Sequence, residues 1–299
     1  MTNNPKLLLI GADGQVGQEL RQTLVNLGEV IPLTRQQIDL SQGEILRQTI
    51  RDLKPQGIVN AAAYTAVDQA EKEPDLAQAI NGIAPQIMAE VAQELGAWLL
   101  HISTDYVFDG TKSTPYLDSD SPHPLSVYGQ SKLAGEMGIQ GAMDNYLILR
   151  TAWVYGLYGK GNFVKTMLRL GQSREEIRVV ADQIGSPTAA LDIATAISAL
   201  CPQLEEGKIK GIYHFTNSGV ASWFDFAVAI FEEAKAINIP LKIKQVIPIT
   251  TADYPTPAIR PSYSVLSGQK VSQTLGYYPP YWRDSLRKIL KLGQNHELF

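Results

Sequence analysis

Through the first half of the chain, uninterrupted apolar runs alternate with segments whose apolar positions recur every three to four residues. Residues 6–10 place Leu7, Leu8, Leu9 and Ile10 behind a single lysine, which predicts a strand buried on both faces of a parallel sheet. Residues 15–27 carry Val16, Leu20, Leu24 and Leu27 at helical spacing and close on Gly28. Residues 30–33 predict a second strand, and residues 41–53 a helix with Ser41 as N-cap and Glu44 completing a capping box. Further strands are predicted at 57–60, 97–102 and 146–150, with a helix from Pro85 to about Leu95.

Strand and helix at this rhythm predict right-handed βαβ units on a parallel sheet with helices on both faces. Beyond Thr151 the pattern loosens: residues 156–161 are glycine-rich, prolines gather between Pro248 and Pro280, and helical stretches at 162–170, 188–200 and 223–236 interleave with short strands such as 212–215. The expected fold is α/β, a Rossmann-like doubly wound parallel sheet with a smaller α+β substrate-binding lobe. Residues 1–150 form the dinucleotide-binding domain and residues 151–299 mainly the lobe, with some later segments returning to the first domain.

Composition narrows the partners. The 299 residues are 44% hydrophobic and 19% charged, ordinary values for a folded chain. A net charge of -4 provides no basic field for a phosphate backbone, so nucleic acid is not an expected partner. Cys201 is the only cysteine, and His101, His123, His214 and His296 show no zinc spacing. No apolar run has the length of a membrane span, and residues 1–5 lead directly into the first strand rather than a signal peptide, so a cytoplasmic location is expected.

The first chemical signal follows the first strand directly: GADGQVG, residues 11–17. Gly11 permits a tight turn, Gly14 lets backbone approach a pyrophosphate, and Gly17 allows close helix–strand packing at a helix N-terminus that favours anions. With Gln15 and Val16 these form the expected phosphate-binding turn. After the second strand stands Thr34-Arg35-Gln36, where a carboxylate would bind the ribose 2′-OH of NAD. Arg35 instead suits a 2′-phosphate, so NADPH is the expected cofactor with NADH as second candidate; Asp39 and Leu40 would border the adenine.

The second signal is YGQSK, residues 128–132, at the start of a predicted helix. Tyr128 and Lys132 share one helical face. A cation about 4 Å from the phenol is worth about 4 kcal/mol at an effective dielectric of about 20, which would lower the tyrosine pKa toward neutrality, as acid–base work requires. Thr104 closes the 97–102 strand at the carboxyl edge of the sheet and could bond a substrate oxygen.

These residues, with Ala61, Ala62 and Ala63 after the third strand, resemble the extended short-chain dehydrogenase/reductase superfamily. The stretches VNAAAYTAVD (59–68), STDYVFDG (103–110), RTAWVY (150–155) and PTPAIRP (255–261) narrow the resemblance to the dTDP-4-dehydrorhamnose reductase family. The resemblance implies NAD(P)H-dependent reduction of the C4 ketone of dTDP-4-dehydro-L-rhamnose. Tyr128 would then protonate the carbonyl oxygen, Lys132 would lower the tyrosine pKa and hold the nicotinamide ribose, and Thr104 would orient the ketone. It also implies that Ala62, Ala63 and Tyr64 line the cofactor channel, and that Tyr106, Trp153 and Arg260 face the substrate, Arg260 meeting the diphosphate; Asp105 reads either as a substrate-side residue that tunes Tyr106 or the pocket, or as a cap or loop residue. Some members bind magnesium at a dimer interface. Here Glu19 is retained, but Gly185-Ser-Pro-Thr188 leads into Ala189-Ala190-Leu191-Asp192, a poor oxygen set, so Mg2+ is not expected and a homodimer stays open.

Other features read as structural. His101, between Leu100 and Ile102, is expected to be a satisfied core histidine, and Cys201 an inert one. Tyr277, Tyr278, Tyr281 and Trp282 are expected to pack beneath the last helix, and Glu71-Lys72-Glu73 to form a solvated face. Two alternatives to the reductase stand: a related nucleotide-deoxysugar ketoreductase or epimerase, and a non-catalytic NADP-binding regulatory subunit.

Overall fold

The computed structural model describes residues 4–295; His296 and residues 1–3 lie outside the described residues. In chain order the first half contains β1 (Lys6–Ile10), α1 (Gln15–Thr23), β2 (Glu29–Leu33), α2 (Gly43–Leu53), β3 (Gly57–Asn60), α3 (Val67–Ala70), α4 (Pro74–Gln78), α5 (Ala84–Leu95), β4 (Trp98–Thr104), α6 (Val127–Ala142) and β5 (Tyr146–Thr151). The rest contains β6 (Val154–Tyr155), α7 (Phe163–Ser173), β7 (Glu176–Val180), β8 (Ile184–Gly185), β9 (Thr188–Ala189), α8 (Ala190–Glu205), β10 (Gly211–His214), β11 (Ala221–Ser222), α9 (Trp223–Ala236), β12 (Gln245–Ile249), α10 (Gln269–Leu275) and α11 (Trp282–Asn295).

The main sheet runs β10-β5-β4-β3-β1-β2, and each of its pairings is parallel. The chain leaves β1 toward β2 on one side and returns to β3 on the other, so the topological switch point lies at the carboxyl ends of β1 and β3, where such sheets bind ligands. One face of the sheet is covered by α1 and α8 through Leu20, Leu24, Ile193 and Ile197; the other by α2 and α5 through Leu46, Ile50, Met88 and Val91. A separate core forms in the second half from α7, α9 and α11, around Phe226, Ile230, Phe231, Leu286 and Ile289. β10 and α8 come from beyond residue 150 and join the sheet and its covering layer.

Several predicted helix ends move; the helix expected at 188–200 runs from Ala190 to Glu205, and the one expected at 162–170 continues to Ser173. The first helix stops at Thr23 rather than at residue 27, because Leu27 N–H bonds Leu24 in a turn and Glu29 N–H is taken by Pro5 at 2.8 Å to start β2. A side chain on Gly28 would lie 2.1 Å from the Pro5 carbonyl, so this return needs glycine. Ser41 does not cap α2. Its hydroxyl and N–H both bond Asp39 (2.8 and 2.9 Å), and α2 begins at Gly43 with no side-chain cap. Nor do the four C-terminal aromatics pack as a group. Trp282 is buried among the lobe core, while Tyr277, Tyr278 and Tyr281 are exposed.

Candidate active site

A cleft of about 630 Å3 opens at the carboxyl edge of the main sheet. Its wall follows the strand ends in order: Gly11, Gly14, Gln15 and Val16 after β1; Thr34 and Arg35 after β2; Asp39 and Leu40; Ala61, Ala62, Ala63 and Tyr64 after β3. Thr104 ends β4 and Asp105 and Tyr106 follow it, Tyr128 and Lys132 come from α6, and Trp153 follows β5. Gly17 and Arg260 are absent from this lining.

The phosphate-binding turn is built by contact, not by side chains. Gly11 has φ +82°, and a Cβ there would lie 2.6 Å from Ala62 N; a Cβ on Gly17 would lie 2.0 Å from the Gly11 carbonyl. Gly17 therefore seats α1 against the turn rather than touching a ligand. No side chain caps α1, so its first N–H groups and its dipole face the cleft where an anion would sit. The loop before α7 closes over this turn: Asn162 Nδ2 donates to Gln15 Oε1 at 2.8 Å. Glycines too crowded for side chains and an uncapped helix start fit a dinucleotide pyrophosphate. Arg35 is exposed at the rim beside Asp39, whose carboxyl is held below its usual range by bonds from Ser41.

Tyr128 sits in the first turn of α6. Ser126 caps that helix by accepting the Gly129 N–H at 3.2 Å, and Glu71 accepts the Val127 N–H at 2.9 Å. Glu73 accepts a bond from the Tyr64 hydroxyl at 2.5 Å. The Glu71-Lys72-Glu73 run is thus not a merely solvated face, because both carboxylates hold parts of the cleft wall. Asn81, in a single π-helical turn between α4 and α5, bonds both backbone groups of Tyr64 and the hydroxyl of Ser131 on α6. No spacing in the sequence marks these three residues, whose partners lie up to 56 positions away.

The Thr104 hydroxyl donates to Asp105 Oδ1 at 3.0 Å and accepts the Tyr106 N–H at 3.2 Å. Burial pushes the Asp105 carboxyl up to about 6, against bonds from Ser264 and Thr104, and its Oδ2 has no partner. The Tyr106 ring meets Tyr128 edge-on at 5.4 Å, and burial raises the Tyr106 phenol to about 12. Arg260 does not face open cleft: Nη2 pairs with Asp68 at 2.9 Å and Nη1 donates to the Tyr106 hydroxyl at 3.4 Å. Trp153 has a left-handed backbone (φ +48°) and lies flat on Trp223, ring centres 3.6 Å apart and planes 6° apart.

The proton affinity of Tyr128 runs opposite to the expectation. Tyr128 is pushed up from its ordinary value, chiefly by burial, and the near groups that act on it are Thr104, Asp105 and Tyr106. Lys132 is not among the groups that shift it; its Nζ bonds the Ile102 carbonyl at 2.8 Å and His101 Nε2 at 3.0 Å. Lys132 is itself brought down to about 8 by burial, with Glu136 opposing. Behind it Glu136 is held by Arg150 (2.6 Å) and Ser103 (2.5 Å) in a fully buried cluster that fixes α6 to β4 and β5. His101 is a satisfied buried histidine, as expected, but one of its partners is Lys132. Cys201 is buried with its thiol pushed up, which leaves it unreactive.

Away from the cleft, Glu19 is buried and raised to about 7 by burial and then by Asp192. Among the described residues no group of three or more His, Cys, Asp or Glu side chains is arranged to hold a metal, and no helix is long and apolar enough to cross a membrane.

The comparisons bear on the whole chain. Residues 5–295 match the RmlD substrate binding domain family. The chain is 44% identical over 285 residues to the dTDP-4-dehydrorhamnose reductase of Burkholderia thailandensis, covering 93% of this chain and 95% of that one. It is 43% identical over 290 residues to the Escherichia coli K12 enzyme of the same name, covering 95% and 96%. The crystal structure of dTDP-4-dehydrorhamnose reductase from Bacillus anthracis in complex with NADP superposes with a TM-score of 0.88 at 38% identity, covering 97% and 99%. A dinucleotide turn, a tyrosine and a lysine at one cleft, and identity sustained over both lobes have one common explanation: the chain belongs to the dTDP-4-dehydrorhamnose reductase family.

Proposed function

We infer that the protein reduces the C4 ketone of dTDP-4-dehydro-L-rhamnose to dTDP-L-rhamnose with NADPH. The observation that carries this reading is the meeting of Thr104, Tyr128 and the glycine turn at one cleft, in a chain more than 40% identical to reductases of that name along nearly its whole length.

Gly11, Gly14, Gln15 and Val16 would hold the pyrophosphate, Arg35 the 2′-phosphate, and Ala61 to Tyr64 the edge of the channel. When bound, the nicotinamide supplies a hydride to the ketone carbon. Tyr128 gives its proton to the carbonyl oxygen, answering the negative charge that hydride addition places there. A buried phenol whose ionisation is disfavoured keeps its proton until that charge develops. Thr104, held beside the pocket by Asp105, would turn its hydroxyl proton from Asp105 to donate to the same oxygen when the ketone binds. Trp153 offers a flat apolar wall to the deoxysugar, and Arg260 reaches the pocket through Tyr106. An NADPH-consuming reductase is favoured over an epimerase by Arg35, since an epimerase keeps one dinucleotide through oxidation and re-reduction.

The test is oxidation of NADPH by the purified protein with dTDP-4-dehydro-L-rhamnose generated in situ. Stoichiometric formation of dTDP-L-rhamnose is the expected result. NADPH binding without turnover of this sugar would favour the regulatory-subunit reading.

A further inference from the structure

Three fully buried polar side chains form a file behind the cleft: Asn60 at the end of β3, His101 in β4 and Lys132 in α6. The hydrogens in this file can be placed by elimination. The backbone N–H of Ala62 donates to Asn60 Oδ1 at 3.1 Å, which fixes the orientation of the carboxamide. Asn60 Nδ2 therefore faces His101 Nδ1, at 2.9 Å. An amide NH2 can only donate, so Nδ1 is the acceptor and carries no proton. A neutral imidazole must then carry its proton on Nε2.

That proton points at Lys132 Nζ, 3.0 Å away. An ammonium has only donors to offer, so it would meet the imidazole donor against donor. An amine has a lone pair to accept the bond. It would accept from His101, donate to the Ile102 carbonyl at 2.8 Å, and keep one N–H for the cleft that Lys132 lines. Few charges oppose this arrangement. Glu136, one turn along α6, favours the ammonium, but both its oxygens are occupied by Arg150 of β5 and Ser103 of β4. From β4, His101 is itself kept neutral by burial.

We propose that His101, set in one tautomer by Asn60, is a positioning residue that favours the neutral amine of Lys132 over its ammonium in the free enzyme and steers the amine's remaining N–H into the cleft. The lysine is then a group that gains and loses a proton within the working pH range, not a fixed charge. The ammonium form requires His101 to present a bare Nε2, hence a proton on Nδ1 and a turned Asn60 carboxamide. Gain of a proton by Lys132 from solvent is thereby coupled to two buried side chains that never touch substrate. This reading rests on Lys132 belonging to the reductase site, but the tautomer is a property of the free protein.

The decisive experiment is nitrogen NMR of the histidine rings in the free, full-length protein, with the His101 signal identified by its loss in His101→Gln. The expected result is a neutral ring that carries its proton on Nε2 at pH about 10 and passes toward the Nδ1 form as pH is lowered to about 6, a change absent in Lys132→Met. A proton on Nδ1 at pH about 10, an imidazolium near neutrality, or a ring tautomer indifferent to Lys132 would overturn the proposal. In turnover, His101→Gln offers Lys132 an acceptor oxygen and should shift the lysine-dependent limb of the pH–rate profile upward by about one unit, with a smaller change in KM. A merely structural histidine would lower the rate at every pH and leave that limb in place. If no substrate is turned over, the ring tautomer still decides the proposal, so its failure and that of the reductase reading are separable.

Discussion

At the scale of single residues, the cleft is made of groups whose burial sets their proton affinity. Asp105 is the clearest case. Its folded carboxyl titrates near 6 while an exposed aspartate titrates near 3.8, so between those values the folded protein keeps a proton that the unfolded chain has lost. Stability contributed by this group therefore falls as pH rises through the window and stays reduced above it. Asp105→Asn should raise the melting temperature at pH 8 and leave it nearly unchanged at pH 4, a difference on the order of 2 kcal/mol; equal shifts at both would refute the burial account. Arg35 is exposed just past the end of the second strand. Arg35→Ala should raise KM for NADPH by roughly tenfold or more and leave KM for NADH nearly unchanged, the loss expected for one charge-assisted phosphate contact. Equal losses would exclude a 2′-phosphate role. Residues of this kind, defined by one local motif, were legible in the sequence: the glycine turn, Arg35, Thr104 and Tyr128 line one cleft as their spacing suggested. Lys132 was legible as a position but not as an orientation. Helical spacing allows Nζ to reach the phenol, yet it cannot weigh that against His101 and the Ile102 carbonyl, which lie on another strand.

At the scale of elements, strands buried on both faces and helices with one apolar stripe were readable because their periodicities differ. Helix 223–236 and the strand ends at Ile10, Leu33 and Asn60 fall where the pattern placed them. Ends decided by tertiary partners were not readable. Ser41 has the right identity for an N-cap, but Asp39 takes its hydroxyl, and Glu71 and Asn81 act through partners distant in sequence. α1 and its turn give the sharpest structural prediction. Gly17→Ala would place a methyl 2.0 Å from the Gly11 carbonyl, and both are backbone-constrained, so the helix must move off the turn. A loss of about 1–3 kcal/mol in stability, together with weaker NADPH binding, is expected from denaturant unfolding and cofactor titration. Unchanged stability with normal binding would show that the turn is looser than its geometry.

At the scale of the whole molecule, two cores meet around the cleft. The sheet supplies the glycine turn and Thr104, and α6 beside it Tyr128 and Lys132; the loops leading to the second core supply Trp153 and the strap that reaches Gln15. Arg260 and Asp68 join the two sides. A dinucleotide held by strand ends, helix start and strap together should stabilise the assembly by mass action. At about 100 times Kd, NADPH should add about 2.7 kcal/mol and raise the melting temperature by several degrees, and NADH at the same concentration should add less. Identical shifts from both would again remove Arg35 from the account.

The central claim is that this assembly delivers a proton from Tyr128 to a sugar ketone, and the most direct test is Tyr128→Phe, assayed for NADPH oxidation with dTDP-4-dehydro-L-rhamnose alongside NADPH affinity. The phenyl ring keeps the edge-on contact with Tyr106 and removes only the hydroxyl. A fall in kcat of about 10²- to 10⁴-fold with NADPH affinity preserved is the predicted result. A mutant that turns over within a few-fold of the native rate would contradict the assignment of Tyr128 as the proton donor.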